Sequence, residues 1–218
     1  PPSPRPWPTP EQYQSVKRVY GLLIGIDHYE MPGANLGGCV QDSIAVENYL
    51  RESTEDAGNR LHLMTLRSPL PSQADQVTGE GPAPASVQAG QPTREGIVNA
   101  FTNFLTQAKD GDVVFIHYSG HGSFEQRPQE LWHLDDGDDH RAETLVCQDS
   151  YTTQNGKYVP ALRDKEIRWL LAKVAERKPH IVLMMDCCNS AGNTRFKEEG
   201  TLARFKASTQ RQGQKVTP

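Results

Sequence analysis

Short apolar runs alternate along the chain with stretches whose apolar residues recur at helical spacing. Arg18 to Asp27 (RVYGLLIGID), Arg60 to Arg67 (RLHLMTLR), Asp112 to His121 and Ile181 to Met185 are the apolar runs, and they read as buried strands. The five apolar residues Ile181 to Met185 predict a strand covered on both faces, inside a parallel sheet. Between these runs, Asp42 to Arg51, Thr93 to Ala108 and Asp164 to Glu176 carry helical periodicity. Examples are Ile97, Phe101 and Phe104 in the second, and Ile167, Leu170, Leu171 and Val174 in the third. Asp42 stands where a helix N-cap acceptor is favoured. The region from Ser123 to Tyr158 is polar and predicts a small hairpin, followed by a turn at Asn155-Gly156. Four alternations of strand and helix argue an α/β fold: a mainly parallel sheet with helices on both faces.

The remaining stretches fix the domain organisation. Residues 1–10 hold six prolines, so 1–17 reads as an extended tail or linker. The catalytic-type domain runs over 18–192 and contains a Pro-, Gly-, Ala-, Ser- and Gln-rich insertion at 68–92 that looks disordered. Residues 193–218 are polar and basic, and read as a linker. A chain that begins at Pro1 reads as a processed or excised piece of something longer.

Charge and composition narrow the classes of function. At 218 residues, a formal charge of −4 and a pI near 6.0, the chain offers no electrostatic case for nucleic acid. No apolar run approaches the roughly 20 residues of a membrane helix, and no signal peptide is visible. Four cysteines (39, 147, 187 and 188) are too few for a disulfide framework in a domain this size, which points to free thiols in a reducing, cytoplasmic setting. Neither a CxxC pair nor an HExxH motif is present, so no metal or other cofactor is expected.

Two strand ends carry candidate chemistry. Ile181-Val-Leu-Met-Met-Asp-Cys-Cys-Asn-Ser-Ala-Gly192 opens from a strand directly onto two thiols, and Asp112-Val-Val-Phe-Ile-His-Tyr-Ser-Gly-His-Gly-Ser123 opens onto His121 between two glycines. Neighbouring parallel strands would bring His121 to the Cys187/Cys188 pair at one edge of the sheet, where ligands and catalytic groups collect. Together these are the parts of a thiol nucleophile and its base. Singly, each has an ordinary structural reading, as a loop histidine or a small buried hydrophobe. Spacing alone does not choose between Cys187 and Cys188.

His-Tyr-Ser-Gly-His-Gly-Ser123 and Asp-Cys-Cys-Asn-Ser-Ala-Gly192, with Leu-Leu-Ile-Gly-Ile-Asp27 and Leu-Gly-Gly-Cys-Val-Gln-Asp42 upstream, resemble the large-subunit region of a metacaspase over about residues 18 to 192. The resemblance is to the caspase-like clan of cysteine peptidases, with the prokaryotic orthocaspases nearest. It implies a caspase-like fold and a Cys–His dyad in which His121 is the general base and Cys188, in Asp-x-Cys-x-Ser, the nucleophile, leaving Cys187 structural. It also implies that the N–H groups of Gly122 and Cys188 form the oxyanion hole. Asp42 and Asp186 match acidic residues of the first specificity pocket, which selects Arg or Lys before the cleaved bond. Asn189 and Ala191 stand where the family usually has His and Gly.

The resemblance extends to partners and regulation. The family's calcium site would draw on Asp149 and Asp164, but Lys165 and Arg195 stand where further carboxylates are expected, so calcium independence is the expectation. The resemblance further implies protein and peptide substrates, and a partner in the small-subunit segment that follows in the same protein. Self-cleavage among the basic residues from Arg195 to Lys215 is implied as well. A different class of function is a non-catalytic caspase-like scaffold whose open sheet edge receives a partner. An α/β-hydrolase-type thiol esterase lacks its G-x-S-x-G elbow here.

Overall fold

The computed structural model describes residues 16–75, 77–126 and 141–187. The Pro-rich residues 1–15, residues 127–140, Cys188, Asn189, Ala191, Arg195 and the basic segment lie outside the described residues.

β1 (Val19–Ile26) is the centre of the sheet, and every residue in it is buried. It runs parallel to β2 (Leu61–Ser68) on one side and to β4 (Val113–Ser119) on the other. β3 (Ser86–Gly90) extends the sheet beyond β2, and β10 (His180–Asp186) extends it beyond β4. The resulting order is β10-β4-β1-β2-β3, all parallel. β5 (Gly122–Gln126) and β6 (Arg141–Leu145) form the expected antiparallel pair, joined by β9 (Leu162–Arg163). β7 (Thr153–Gln154) and β8 (Lys157–Tyr158) close over Asn155 and Gly156, whose φ values of 49° and 75° are those of a tight hairpin turn.

Alternate residues of β1 feed two cores. On one face, Val19 and Leu23 pack with Leu61 and Leu63 against Leu50 of α1 (Cys39–Ser53). On the opposite face, Tyr20, Leu22, Ile24 and Ile26 pack with Val114, Ile116 and Tyr118 of β4 against two further helical segments. The first, α2, starts at Arg94–Asn99, capped by Thr93 Oγ1, which accepts from Gly96 N–H at 3.0 Å; it continues as a π turn over Ala100–Phe104 and a tight turn at Leu105–Gln107. The second, α3, is Asp164–Ala175, contributing Leu170 and Val174. Helices thus cover both faces of the sheet. None among the described residues is long and apolar enough to cross a membrane.

α1 lies unusually close to β1 because Gly21 and Gly25 face it. A Cβ on Gly25 would sit 2.6 Å from the Cys39 carbonyl oxygen and 2.9 Å from Val40 Cα, both backbone atoms that cannot swing away. Gly25→Ala is therefore expected to destabilise the fold by about 3 kcal/mol, at the upper end of ordinary overpacking. Urea unfolding checks it; an unchanged midpoint contradicts the packing described.

Four sequence expectations change. The run Ile181–Met185 is an edge strand among the described residues, with Leu183, Met184 and Met185 each more than two-fifths exposed, not a strand covered on both faces. An apolar run reports that a strand can be buried, but not how many neighbours it has. Asp42 is not the N-cap of α1: Gly38 holds that position, and Asp27 satisfies the helix N–H groups, accepting from Cys39 at 2.9 Å and Val40 at 3.2 Å. The insertion 68–92 is not structureless, since it supplies β3. It is also tied down: buried Arg67 donates to the Val77 carbonyl and pairs at 2.8 Å with buried Glu47. Finally, the domain begins before residue 18, because Lys17 N–H donates to Gly111 O and Val16 packs on the core beneath α1.

Candidate active site

The carboxyl ends of β4 and β10 meet at one edge of the sheet. Ser119 lies opposite Asp186 in the ladder, and Gly120 N–H donates to the Asp186 carbonyl at 3.3 Å. The segment leading to Cys187 and Cys188 thus leaves the sheet one strand away from the segment leading to His121. Cys188 and its backbone N–H lie outside the described residues.

His121 is buried and held from several directions. Its N–H donates to Tyr29 Oη at 2.8 Å, and its carbonyl accepts from Tyr118 Oη at 2.7 Å and from Val146 N–H at 3.0 Å. Its ring tilts at 47° against Tyr29 with centroids 4.9 Å apart. Nε2 lies 2.8 Å from the carbonyl oxygen of Ala34. A carbonyl can only accept, so Nε2 carries a proton, and in the neutral imidazole Nδ1 is then the basic nitrogen. The Ala34 carbonyl thus orients the imidazole, a role no side-chain motif could reveal. Burial pushes the Tyr29 and Tyr118 hydroxyls well above their usual range, so both stay neutral hydrogen-bonding groups.

Gly120 makes this packing possible. A Cβ there would lie 2.7 Å from Tyr29 Oη and 2.8 Å from Tyr118 Oη. Tyr29 is accordingly a positioning residue. Tyr29→Phe leaves the buried His121 N–H without its acceptor, which costs about 1–3 kcal/mol. The expected kinetic result is a severalfold fall in kcat with KM nearly constant, read by steady-state kinetics beside a urea titration. A fall confined to KM would contradict it.

Two of the described thiols, Cys39 and Cys147, are poorly suited to nucleophilic work. Burial pushes the Cys39 thiol up to about 11, with the nearby Asp27 and Asp42 carboxylates adding to the shift. Burial likewise pushes the Cys147 thiol up to about 12. Cys187 is half-buried against the core beneath α3 and lines, with Leu145, Ile167, Leu171 and Met185, a cavity of about 340 Å³ on that side.

The acidic pair stands on the α1 side of the same strand ends. Asp42 Oδ2 accepts from Ser119 Oγ at 3.0 Å, and Asp186 occupies the ladder position beside Ser119. Both aspartates are exposed. The sequence motifs do not single out Ser119; its signal is a polar residue two places after His117 in an apolar strand, which puts both on one face. Gly122 begins β5 opposite Leu145, directly after His121.

Of the residues that match a calcium site, Asp149 is already engaged within the fold. Asp149 is buried and its Oδ1 accepts from Arg94 N–H at 2.8 Å, while the Arg94 guanidinium pairs with Glu166 two residues beyond Asp164. Among the described residues no group of three or more His, Cys, Asp or Glu could hold a metal ion.

The model of the metacaspase peptidase C14 domain matches residues 20–194 of this chain. Metacaspase-2 of Trypanosoma brucei brucei is 28% identical over 187 residues, covering 85% of this chain and 45% of that protein. Metacaspase-3 of Trypanosoma cruzi is 25% identical over 186 residues, covering 85% of this chain and 43% of that protein. Metacaspase III c of Phaeodactylum tricornutum is 34% identical over 99 residues, covering 45% of this chain and 26% of that protein. The chain thus spans less than half the length of these curated relatives.

Proposed function

Because the chain belongs to the metacaspase family through its peptidase C14 domain, we propose that it is the large-subunit part of a cysteine endopeptidase that cuts after Arg or Lys. The observation that carries this reading is the buried His121, with Nε2 bound to the Ala34 carbonyl, at the end of the strand paired with the one that leads to Cys188.

In this mechanism Nδ1 of His121 takes the proton of the Cys188 thiol, and the thiolate attacks the scissile carbonyl carbon. The N–H groups of Gly122 and Cys188 stabilise the oxyanion. His121 returns the proton to the departing amine, and water then hydrolyses the thioester. The exposed carboxylates of Asp42 and Asp186 receive the substrate's guanidinium or ammonium group, with the Ser119 hydroxyl fixing Asp42.

Activity proceeds without calcium, since Asp149 already accepts from the Arg94 backbone N–H and Lys165 replaces a carboxylate. The half-exposed edge strand β10, with Leu183 on one face and Met184 on the other, suits added strands from the small-subunit segment of the same protein. Self-cleavage falls within the basic stretch after Arg195, and the enzyme works in a reducing, cytoplasmic setting. The test is labelling with an Arg-ended electrophilic peptide: the adduct is expected on Cys188, and is lost in Cys188→Ala. An intact active-site thiol that never reacts would move the reading to a scaffold.

A further inference from the structure

His117 is a buried titratable group that this mechanism does not use. It lies in the middle of β4, between Leu23 of β1 and Met184 of β10, and is 2% exposed. Its Nδ1 makes no hydrogen bond among the described residues. Buried polar atoms are ordinarily paired, and an aliphatic residue would fill this place in a strand without that cost. In a strand, residues two apart share a face, so His117 and Ser119 point to the same side, about 6.6 Å apart along the strand. Ser119 donates to Asp42 at 3.0 Å and stands opposite Asp186, so the imidazole forms the layer directly beneath the acidic pair.

We propose that His117 is a positioning residue for substrate specificity: its neutral imidazole beneath Asp42 and Asp186 leaves both carboxylates to the cationic side chain of the substrate. The proposal rests on the Arg/Lys reading above. The charged groups acting on His117 are Asp42 from α1, Asp186 from β10 and Arg67 from β2. On this face β1 presents Gly21, Leu23 and Gly25, none of them charged. Arg67 is itself paired with Glu47 at 2.8 Å. Burial holds the imidazole below the usual histidine range, against the pull of the two carboxylates, with Arg67 adding to the downward shift. At neutral pH the pair therefore keeps its full charge for substrate. Once protonated, His117 is a second cation facing the same two carboxylates, and it competes with the guanidinium. Substrate binding and protonation of His117 weaken each other by linkage.

The experiment follows kcat and KM of the full-length protein for an Arg-ended reporter between pH 5 and 7, wild type beside His117→Asn. In the wild type KM is expected to rise as pH falls into the range, lowered from the ordinary histidine value of 6.5, where His117 takes up its proton, by at most about tenfold per pH unit. In His117→Asn that rise should vanish over the same pH range. A merely structural role would lower stability and leave the slope of KM against pH unchanged; that result overturns the proposal. Where the variant fails to fold, inhibition of the wild type by agmatine, a bare guanidinium ligand, takes its place: weaker inhibition at pH 5.5 than at 7 supports the proposal, and a constant value overturns it. Cleavage after Arg or Lys with an unaltered slope sinks this inference alone, whereas cleavage only after other residues sinks the pocket reading with it.

Discussion

His121→Ala is expected to lower kcat toward Arg-ended reporter peptides by about three to four orders of magnitude, the upper range for a positioned general base, with KM changed little. The variant should fold, because most of what anchors residue 121 is backbone. Tyr29 Oη accepts from its N–H, and Tyr118 Oη and Val146 N–H donate to its carbonyl. An alanine keeps all three bonds. What disappears is the ring against Tyr29 and the Nε2 bond to Ala34, worth about 0.5–1.5 kcal/mol for the hydrogen bond. Stopped assays of kcat beside a thermal melt check this. A folded variant retaining a tenth of wild-type kcat would remove His121 from the chemistry.

The second large effect concerns specificity. Asp42→Asn combined with Asp186→Asn should depress kcat/KM for Arg- and Lys-ended reporters by at least about a hundredfold, since each charge-assisted hydrogen bond is worth roughly 1.5–3 kcal/mol. The amide at position 42 can still accept from Ser119 Oγ, as the carboxylate does at 3.0 Å, so the strand ends keep their geometry. Both aspartates are exposed, so neither substitution opens a cavity. Competition between Arg-ended and uncharged reporters is the informative assay, with the loss confined to the cationic ones. Equal losses on both would mean that the pair supports the fold and does not select the substrate.

The strand and helix pattern was legible in the chain because burial wrote it there. β1 reads as an unbroken apolar run and is buried throughout, and the helical spacing from Thr93 finds its cap and its core residues as expected. The pairing of β4 with β10, which brings the His121 and Cys187 ends together, followed from strands ending on chemistry. What stayed hidden depends on position in space. The exposure of β10 reflects its place at the edge of the sheet, which no apolar run records. β3 is largely exposed, so no hydrophobic signal marked it. The capping of α1 by Asp27 joins residues twelve and thirteen apart. The Ala34 carbonyl acts through the backbone, where residue identity says nothing. His117 was readable only as a member of a motif and Tyr29 not at all, and their partners emerged with the sheet.

The central claim is that this chain carries a thiol peptidase site selecting Arg or Lys. It is tested most directly by a time course on the full-length protein, wild type beside Cys188→Ala, with and without a calcium chelator, on Arg-, Lys- and Asp-ended reporters. The account predicts hydrolysis of the Arg and Lys reporters that ignores the chelator and disappears in Cys188→Ala. Hydrolysis that survives in Cys188→Ala, or that favours the Asp reporter, would contradict it.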